Sequence, residues 1–401
     1  MEVRPYDVII IGGGILGLAT AWNLVNQYPG KSVVVMEKEP FVAMHQSRVS
    51  NGLLHSGIYY VPGSPKAVTC AEGRAEMIRF CQTNDIPLKT CGKVIIATDQ
   101  SELFQLQELY LRGKRSGIPC ELMGPARLKE IEPHAQGLAA LHIKSTAILN
   151  YRLVCDKLLA LLAQKGCYVM LNTEVLSIKE MPTETLILTN HGRHYARYLI
   201  NCSGLHADRI LHMAGKKTDV KIISFRGDFY RLRDEVTDLC KAIIYPVPIP
   251  GLAPLGAHFT RGIDGSVECG PAAALALARE AYHRSQINPK YLLGILAFSG
   301  FWWLLGEYWT TGVAETWRAS NKDAFVKKLQ KLIPEIKNNQ LIKAPSALRA
   351  QAVSLDGKLL QDLIVKESHR VVHVLNAQSP SATACFSIAK IIIHKLSKRF
   401  N

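Results

Sequence analysis

No Cys-x-x-Cys pair occurs among the ten cysteines, which stand singly from Cys70 to Cys385, so the sequence contains neither a zinc ribbon nor a dithiol redox motif. They read as reduced, mostly buried thiols of a reducing compartment. Basic blocks are missing too. The 48 Lys+Arg exceed the 33 Asp+Glu and give a formal charge of +15, yet these cations are scattered and not interleaved with the few aromatics (7%). That pattern argues against nucleic acid and leaves an anionic substrate, cofactor or lipid surface to use the excess. The longest apolar run, Tyr291 to Leu305, has 15 residues and two glycines, short of the roughly 20 that cross a bilayer as a helix. Repeats and low-complexity stretches are absent. Met1 to Asp7 carries neither a secretory nor a transit pattern, so a cytoplasmic protein whose fold begins at Tyr6 is expected. A chain of 401 residues has room for two or three domains and an ample core.

Against this background one local pattern is dense. Asp7 to Ile11 is a β-rich apolar run, Gly12-Gly-Gly-Ile-Leu-Gly17 follows, Leu18 to Val25 has helical spacing, and Ser32 to Met36 is a second apolar run ending at Glu37. Strand, glycine turn, helix, strand and an acid 20 residues after Gly17 together form the dinucleotide-binding pattern. Gly12 permits the tight turn. Gly14 lets backbone N–H groups approach a pyrophosphate at the helix N-terminus, and Gly17 lets helix and strand pack closely. Glu37 is placed to accept hydrogen bonds from ribose hydroxyls.

Further along, 168–175 and 198–204 read as strands of the same sheet, with an amphipathic helix over 151–165. Residues 219–275 change texture. Alternating runs broken by Pro and Gly predict an antiparallel sheet, 276–335 returns to helix, and 346–401 supplies strand, strand and helix.

Longer words occur at many places: His45-Gln-Ser47, Gly52-Leu-Leu-His-Ser-Gly-Ile-Tyr-Tyr-Val-Pro-Gly-Ser-Pro-Lys-Ala67, Cys91-Gly-Lys-Val94, Phe225-Arg-Gly-Asp228, Tyr245-Pro-Val-Pro248, Leu255-Gly-Ala-His258, Arg349-Ala-Gln-Ala352 and Asn376-Ala-Gln-Ser379. Through them nearly the whole chain resembles the FAD-dependent oxidoreductases of the D-amino-acid oxidase and glycine oxidase type, nearest to members that oxidise L-2-hydroxyglutarate. The resemblance implies an α/β protein with a Rossmann-like FAD-binding domain around a central parallel sheet (1–85, 140–215 and 345–401). It implies an antiparallel-sheet substrate domain (86–139 and 216–344) with a helical subdomain near 276–335. FAD contacts then fall on Gly12, Gly14, Gly17, Glu37, Lys38, His45, Gln46, Ser47, Val175, Ser203, Gly204, Ser379 and Thr383. The chain departs from the family at Arg48, Ser50-Asn51 and Gln378, positions near the flavin in relatives.

Oxidising a 2-hydroxy acid needs a hydride acceptor, a base for the hydroxyl proton and a cation for the carboxylate. The flavin is the acceptor. Arg349 resembles the arginine that binds the substrate carboxylate in the family, and its planar fork suits a carboxylate. His55, in a glycine-flanked turn, and His258, on an antiparallel strand, compete for the base. Arg226, Arg261 and Tyr60 are candidates for a distal carboxylate by their place in the family words; no spacing chooses among them, and Arg226 can equally pair with Asp228 or a sheet-edge acid. No metal is expected, and electrons pass to quinone or oxygen.

Three rivals stay open at this point: a flavoenzyme acting on glycerol 3-phosphate, one acting on an amino acid, and a flavin-binding module without dehydrogenation. A separate expectation comes from four of the five tryptophans, Trp302, Trp303, Trp309 and Trp317, falling within 16 residues. With Phe325, Leu329 and Leu332 at helical spacing and Lys322, Lys327, Lys328 and Lys331 largely elsewhere around the helix, they suit peripheral attachment to an anionic membrane, on the cytoplasmic face of the inner membrane.

Overall fold

Val8, Ile9, Ile10 and Ile11 are apolar on both sides of the chain, and they form a strand buried on both faces, Tyr6–Ile11. It pairs in parallel with Val33–Met36 and with the end of Gly192–Asn201. Tyr168–Met170 and Val371–Asn376 extend the parallel set, and the hairpin strands Val175–Glu180 and Thr185–Thr189 flank it. The computed structural model describes residues 5–248, 256–377 and 379–400, and leaves undescribed the side chains of 311 and 313–320. Leu255, Gln378 and the Trp317 side chain thus lie outside the described residues.

Helices Ile15–Gln27, Tyr151–Gln164 and Cys385–Ser397 cover one face of this sheet, joining Leu18, Leu24, Val154, Leu158, Ile388 and Ile392 to Ile10 and Val35 in one core. Ile9, Val34, Ile178 and Ile210 fill the opposite face. The run 168–175 is not one strand: it breaks after Met170, where Asn172 adopts φ 53° and its N–H bonds the Glu39 carbonyl. The break brings Thr173 N–H onto the Glu37 carbonyl at 2.8 Å, fixing the acid's position at the mouth of the glycine turn.

A second sheet of ten strands among the described residues runs Leu359–Leu360, Ala347–Ser354, Val220–Leu232, Val267–Leu275, His258–Arg261, Ile243–Pro246, Lys93–Ala97, Ala139–Ile143, Cys120–Met123, with Leu341–Lys343 on the end of Val220–Leu232. It is antiparallel as the sequence texture predicts, except that Ile243–Pro246 lies parallel to Lys93–Ala97. Two strands cross the expected boundaries. Ala139–Ile143 hydrogen-bonds Lys93–Ala97, and Ala347–Ser354 hydrogen-bonds Val220–Leu232, so both belong to this sheet and the chain re-enters the first one only afterwards. A small three-stranded sheet, Leu53–Leu54, Ala147–Leu149 and Leu88–Thr90, lies beside the two.

The helix Lys322–Gln330 differs from its expected role. Phe325 and Leu329, with Leu332 just beyond it, are buried against Leu232 and Phe259, so this stripe is core and not a lipid-facing surface. All ten cysteines are free thiols, nine of them buried.

Candidate active site

The glycine turn opens a cavity of about 670 Å³ that reaches from Gly12 to His258, between the two large sheets, within the ~300–1,000 Å³ usual for cofactor and ligand sites. Gly12 has φ 109°, and a Cβ there would stand 2.6 Å from the Cys202 carbonyl. Gly17 lies outside the cavity wall; its Cβ would meet the Gly12 carbonyl at 1.9 Å, so it serves the close packing of helix on turn. Gly14 is different. Among the described residues a Cβ there would touch only Ser47 Oγ, at 3.4 Å, so the protein alone does not demand glycine, whereas a phosphate passing over the turn would.

Helix Ile15–Gln27 starts at Gly14 without a side-chain cap of its own, and Ser47 Oγ accepts the Ile15 N–H at 3.0 Å from a distant loop. A helix N-terminus aimed into a cavity suits an anion. Glu37 accepts Gly13 N–H at 2.6 Å and Glu39 N–H at 3.0 Å, which locks its carboxylate while lone pairs stay available for ribose hydroxyls. Of the cofactor residues expected, Gly12, Gly14, Glu37, Lys38, His45, Gln46, Ser47, Val175, Ser203, Gly204, Ser379 and Thr383 line the cavity. The departures Ser50 and Asn51 line it too.

Glu280, which no sequence motif marks, reaches this end from the second sheet's side. It lies 2.9 Å from Lys38 Nζ, 2.7 Å from His206 Nε2 and 3.4 Å from His45 Nε2. Burial works against its charge, but His206, His45 and Lys38 hold it down to about 2. Glu39, His45 and Glu280 are grouped closely enough for a cation, and the Lys38 ammonium already supplies one.

At the other end His258 is buried (6% exposed), with Nδ1 2.9 Å from the Gly256 carbonyl. That bond assigns the proton to Nδ1 and the lone pair to Nε2, which is buried with no hydrogen-bond partner among the described residues. His55 is held differently. Its backbone N–H donates to Thr383 Oγ1 at 3.1 Å, and its ring Nε2 lies 3.3 Å from Ser379 Oγ. Burial, helped by Lys93, pushes His258 down to about 4; burial, Lys93 and His258 push His55 down to about 3. Both are neutral imidazoles at neutral pH.

Arg349, on strand Ala347–Ser354, and Tyr60 also line the cavity. Arg226 and Arg261 do not. Arg226 is 5% exposed and its Nε donates to Asp228 at 2.9 Å, in a cluster completed by Arg284 and Ser346. Arg261 donates to the carbonyls of Thr237 and Cys240. Both cations are consumed by the fold, Arg226 by an acid two residues along its own strand and Arg261 by two main-chain carbonyls. Lys66, Tyr245 and Gln361 reach the cavity instead.

A dinucleotide turn, a long cavity between a parallel and an antiparallel sheet, and neutral histidines at its far end define a flavin-type oxidoreductase. The FAD dependent oxidoreductase family matches residues 7–395. Across 98% of its length the chain is 41% identical to the L-2-hydroxyglutarate dehydrogenase of Indibacter alkaliphilus, covering 100% of that protein. It is 37% identical to the L-2-hydroxyglutarate dehydrogenase of Escherichia coli K12 over 98% of this chain and 93% of that one. Its fold is that of the FAD-bound L-alpha-glycerophosphate oxidase of Mycoplasma pneumoniae (TM-score 0.81, 21% identity, 98% and 95% covered). The chain belongs to the FAD dependent oxidoreductases, and its cofactor is FAD.

Proposed function

We propose that the protein oxidises L-2-hydroxyglutarate to 2-oxoglutarate. Its full-length likeness to dehydrogenases of that name supports the substrate, and the observation that carries the chemistry is Nε2 of His258, without a hydrogen-bond partner among the described residues, in the same cavity as Arg349. Bound FAD supplies the acceptor for the hydride that leaves Cα. Arg349 pairs with the carboxylate beside the reacting carbon and fixes the face presented. Nε2 of His258 takes the hydroxyl proton, its tautomer set by Gly256, while His55 orients Ser379. The electrons then pass to a quinone or to oxygen. Anaerobic mixing of the yellow enzyme with substrates tests the reading. L-2-hydroxyglutarate should bleach the flavin faster than lactate, glycerol 3-phosphate, glycine or the D enantiomer; equal or faster bleaching by any of them rejects it.

A second reading concerns location. No described helix is long and apolar enough to cross a membrane. Trp302, Trp303, Trp309, Leu293, Leu296 and Leu305 are nevertheless exposed on helices Pro289–Leu296 and Ser299–Ser320. An apolar patch of this kind supports peripheral docking on an anionic membrane surface, on the cytoplasmic side.

A further inference from the structure

With Arg226 and Arg261 tied into the fold, the cavity wall still carries a second cation near Arg349. Lys66 lines it from the start of helix Pro65–Thr83. Its Nζ lies 5.1 Å over the Tyr60 ring and donates to the Gln361 carbonyl at 2.8 Å, which leaves further ammonium donors for a ligand. Tyr60 hydrogen-bonds Ser379, the residue that also meets His55. Lys66 is therefore linked to the reacting end through one tyrosine and one serine.

Local forces do not favour a cation at this position. Lys66 is the second residue of a 19-residue helix whose first turn has no acid, where the helix dipole prefers a negative charge. Burial pushes its ammonium down, Asp362 opposes that shift, and the nearby Arg349 guanidinium reinforces it. A cation kept against the dipole, against burial and beside another cation makes that end of the cavity strongly attractive to an anion.

We infer that Lys66 is a specificity-determining residue that binds the carboxylate remote from the reacting carbon, while Arg349 binds the near one. The inference rests on the proposed hydroxyglutarate activity and adds to it the group that selects a dicarboxylate over a monocarboxylate. An ammonium on a flexible stem suits the freely rotating end of a five-carbon diacid, where a fixed fork is not required.

The test compares L-2-hydroxyglutarate with L-2-hydroxypentanoate, the same chain length without the second carboxylate, on FAD-loaded wild type, Lys66→Met and Lys66→Arg. The loss of kcat/KM in Lys66→Met should be roughly 10- to 100-fold greater for the diacid than for the monoacid. It should fall mainly on KM, and Lys66→Arg should recover most of it. Equal losses for both acids, or an unchanged preference in a variant with full flavin content, overturn the assignment of Lys66 while the hydroxyglutarate reading stands. Wild-type enzyme that ignores L-2-hydroxyglutarate overturns both.

Discussion

Tyr245 stacks on His258 with ring centroids 4.0 Å apart and planes 28° from parallel, and the same tyrosine ring carries the Lys93 ammonium at 4.9 Å. Lys93 is itself 2% exposed and sits 4.5 Å over the Tyr59 ring. The stack buries the imidazole and brings a cation near it, two reasons for His258 to resist protonation.

A consequence is a displaced pH profile. An ordinary histidine would place the acidic limb of kcat/KM near its usual value of about 6.5. With His258 pushed down to about 4, the neutral base persists throughout the mildly acidic range. The kcat/KM should change by no more than about twofold between pH 6 and 8 and fall only as pH approaches 4. His258→Ala should lower the plateau and remove that fall; a limb centred near 6.5 in wild type would reject the buried-base assignment. Stability follows the same sign. The unfolded chain protonates these histidines below about 6.5 while the native state does not, so stability is full above that value and declines as pH falls toward 4. Thermal melts of the holoenzyme at pH 7 and 5 read it.

Arg349→Lys keeps the charge and loses the two-donor fork. A charge-assisted pair is worth ~1.5–3 kcal/mol, so kcat/KM for L-2-hydroxyglutarate should drop about 10- to 150-fold. Unchanged steady-state kinetics would remove Arg349 from the substrate site.

The glycines of the cofactor turn divide by what each would strike. Gly17→Ala forces a Cβ onto the Gly12 carbonyl at 1.9 Å and should cost folded yield. The Cβ of Gly14→Val meets only Ser47, at 3.4 Å, so the variant should fold and purify pale, with the flavin-to-protein ratio well below wild type. A fully yellow Gly14→Val protein would contradict the placement of pyrophosphate over Gly14.

These cases show what a linear reading reaches. The Gly12–Gly17 turn and Glu37 are legible because their chemistry is local: turn, helix start and acid lie within one strand-helix-strand unit. The words around His55, His258 and Arg349 mark residues that line the cavity. Arg226 and Arg261 mislead because their sequence words do not say which way each side chain turns: Arg226 bonds Asp228, two residues along its own strand, in a cluster that Arg284 and Ser346 complete, and Arg261 bonds the carbonyls of Thr237 and Cys240. Glu280 has no motif, since its role depends on a loop folding back over Lys38 and His45. Helical spacing also failed to tell Phe325 and Leu329, which are core, from Trp303, which is not.

That last contrast narrows the membrane prediction to one face. Trp303 is 67% exposed and Leu293 65%, and exposed Lys290 stands one turn before Leu293. Indole rings favour the boundary between lipid and water, and a neighbouring ammonium favours anionic headgroups. Helix Lys322–Gln330 takes no part through its apolar side, because Phe325 and Leu329 are already covered. Sedimentation with anionic vesicles at low salt should therefore carry wild type down and leave Trp302→Ser/Trp303→Ser largely in the supernatant. Because Trp302 Nε1 also donates to the Leu296 carbonyl at 2.8 Å, Trp303→Ser alone separates lipid contact from helix packing. Raising salt should weaken binding as screening shortens the reach of Lys290. Wild-type protein that stays in the supernatant at low salt, or sediments with equal strength after both tryptophans are replaced, would assign this face to something other than lipid.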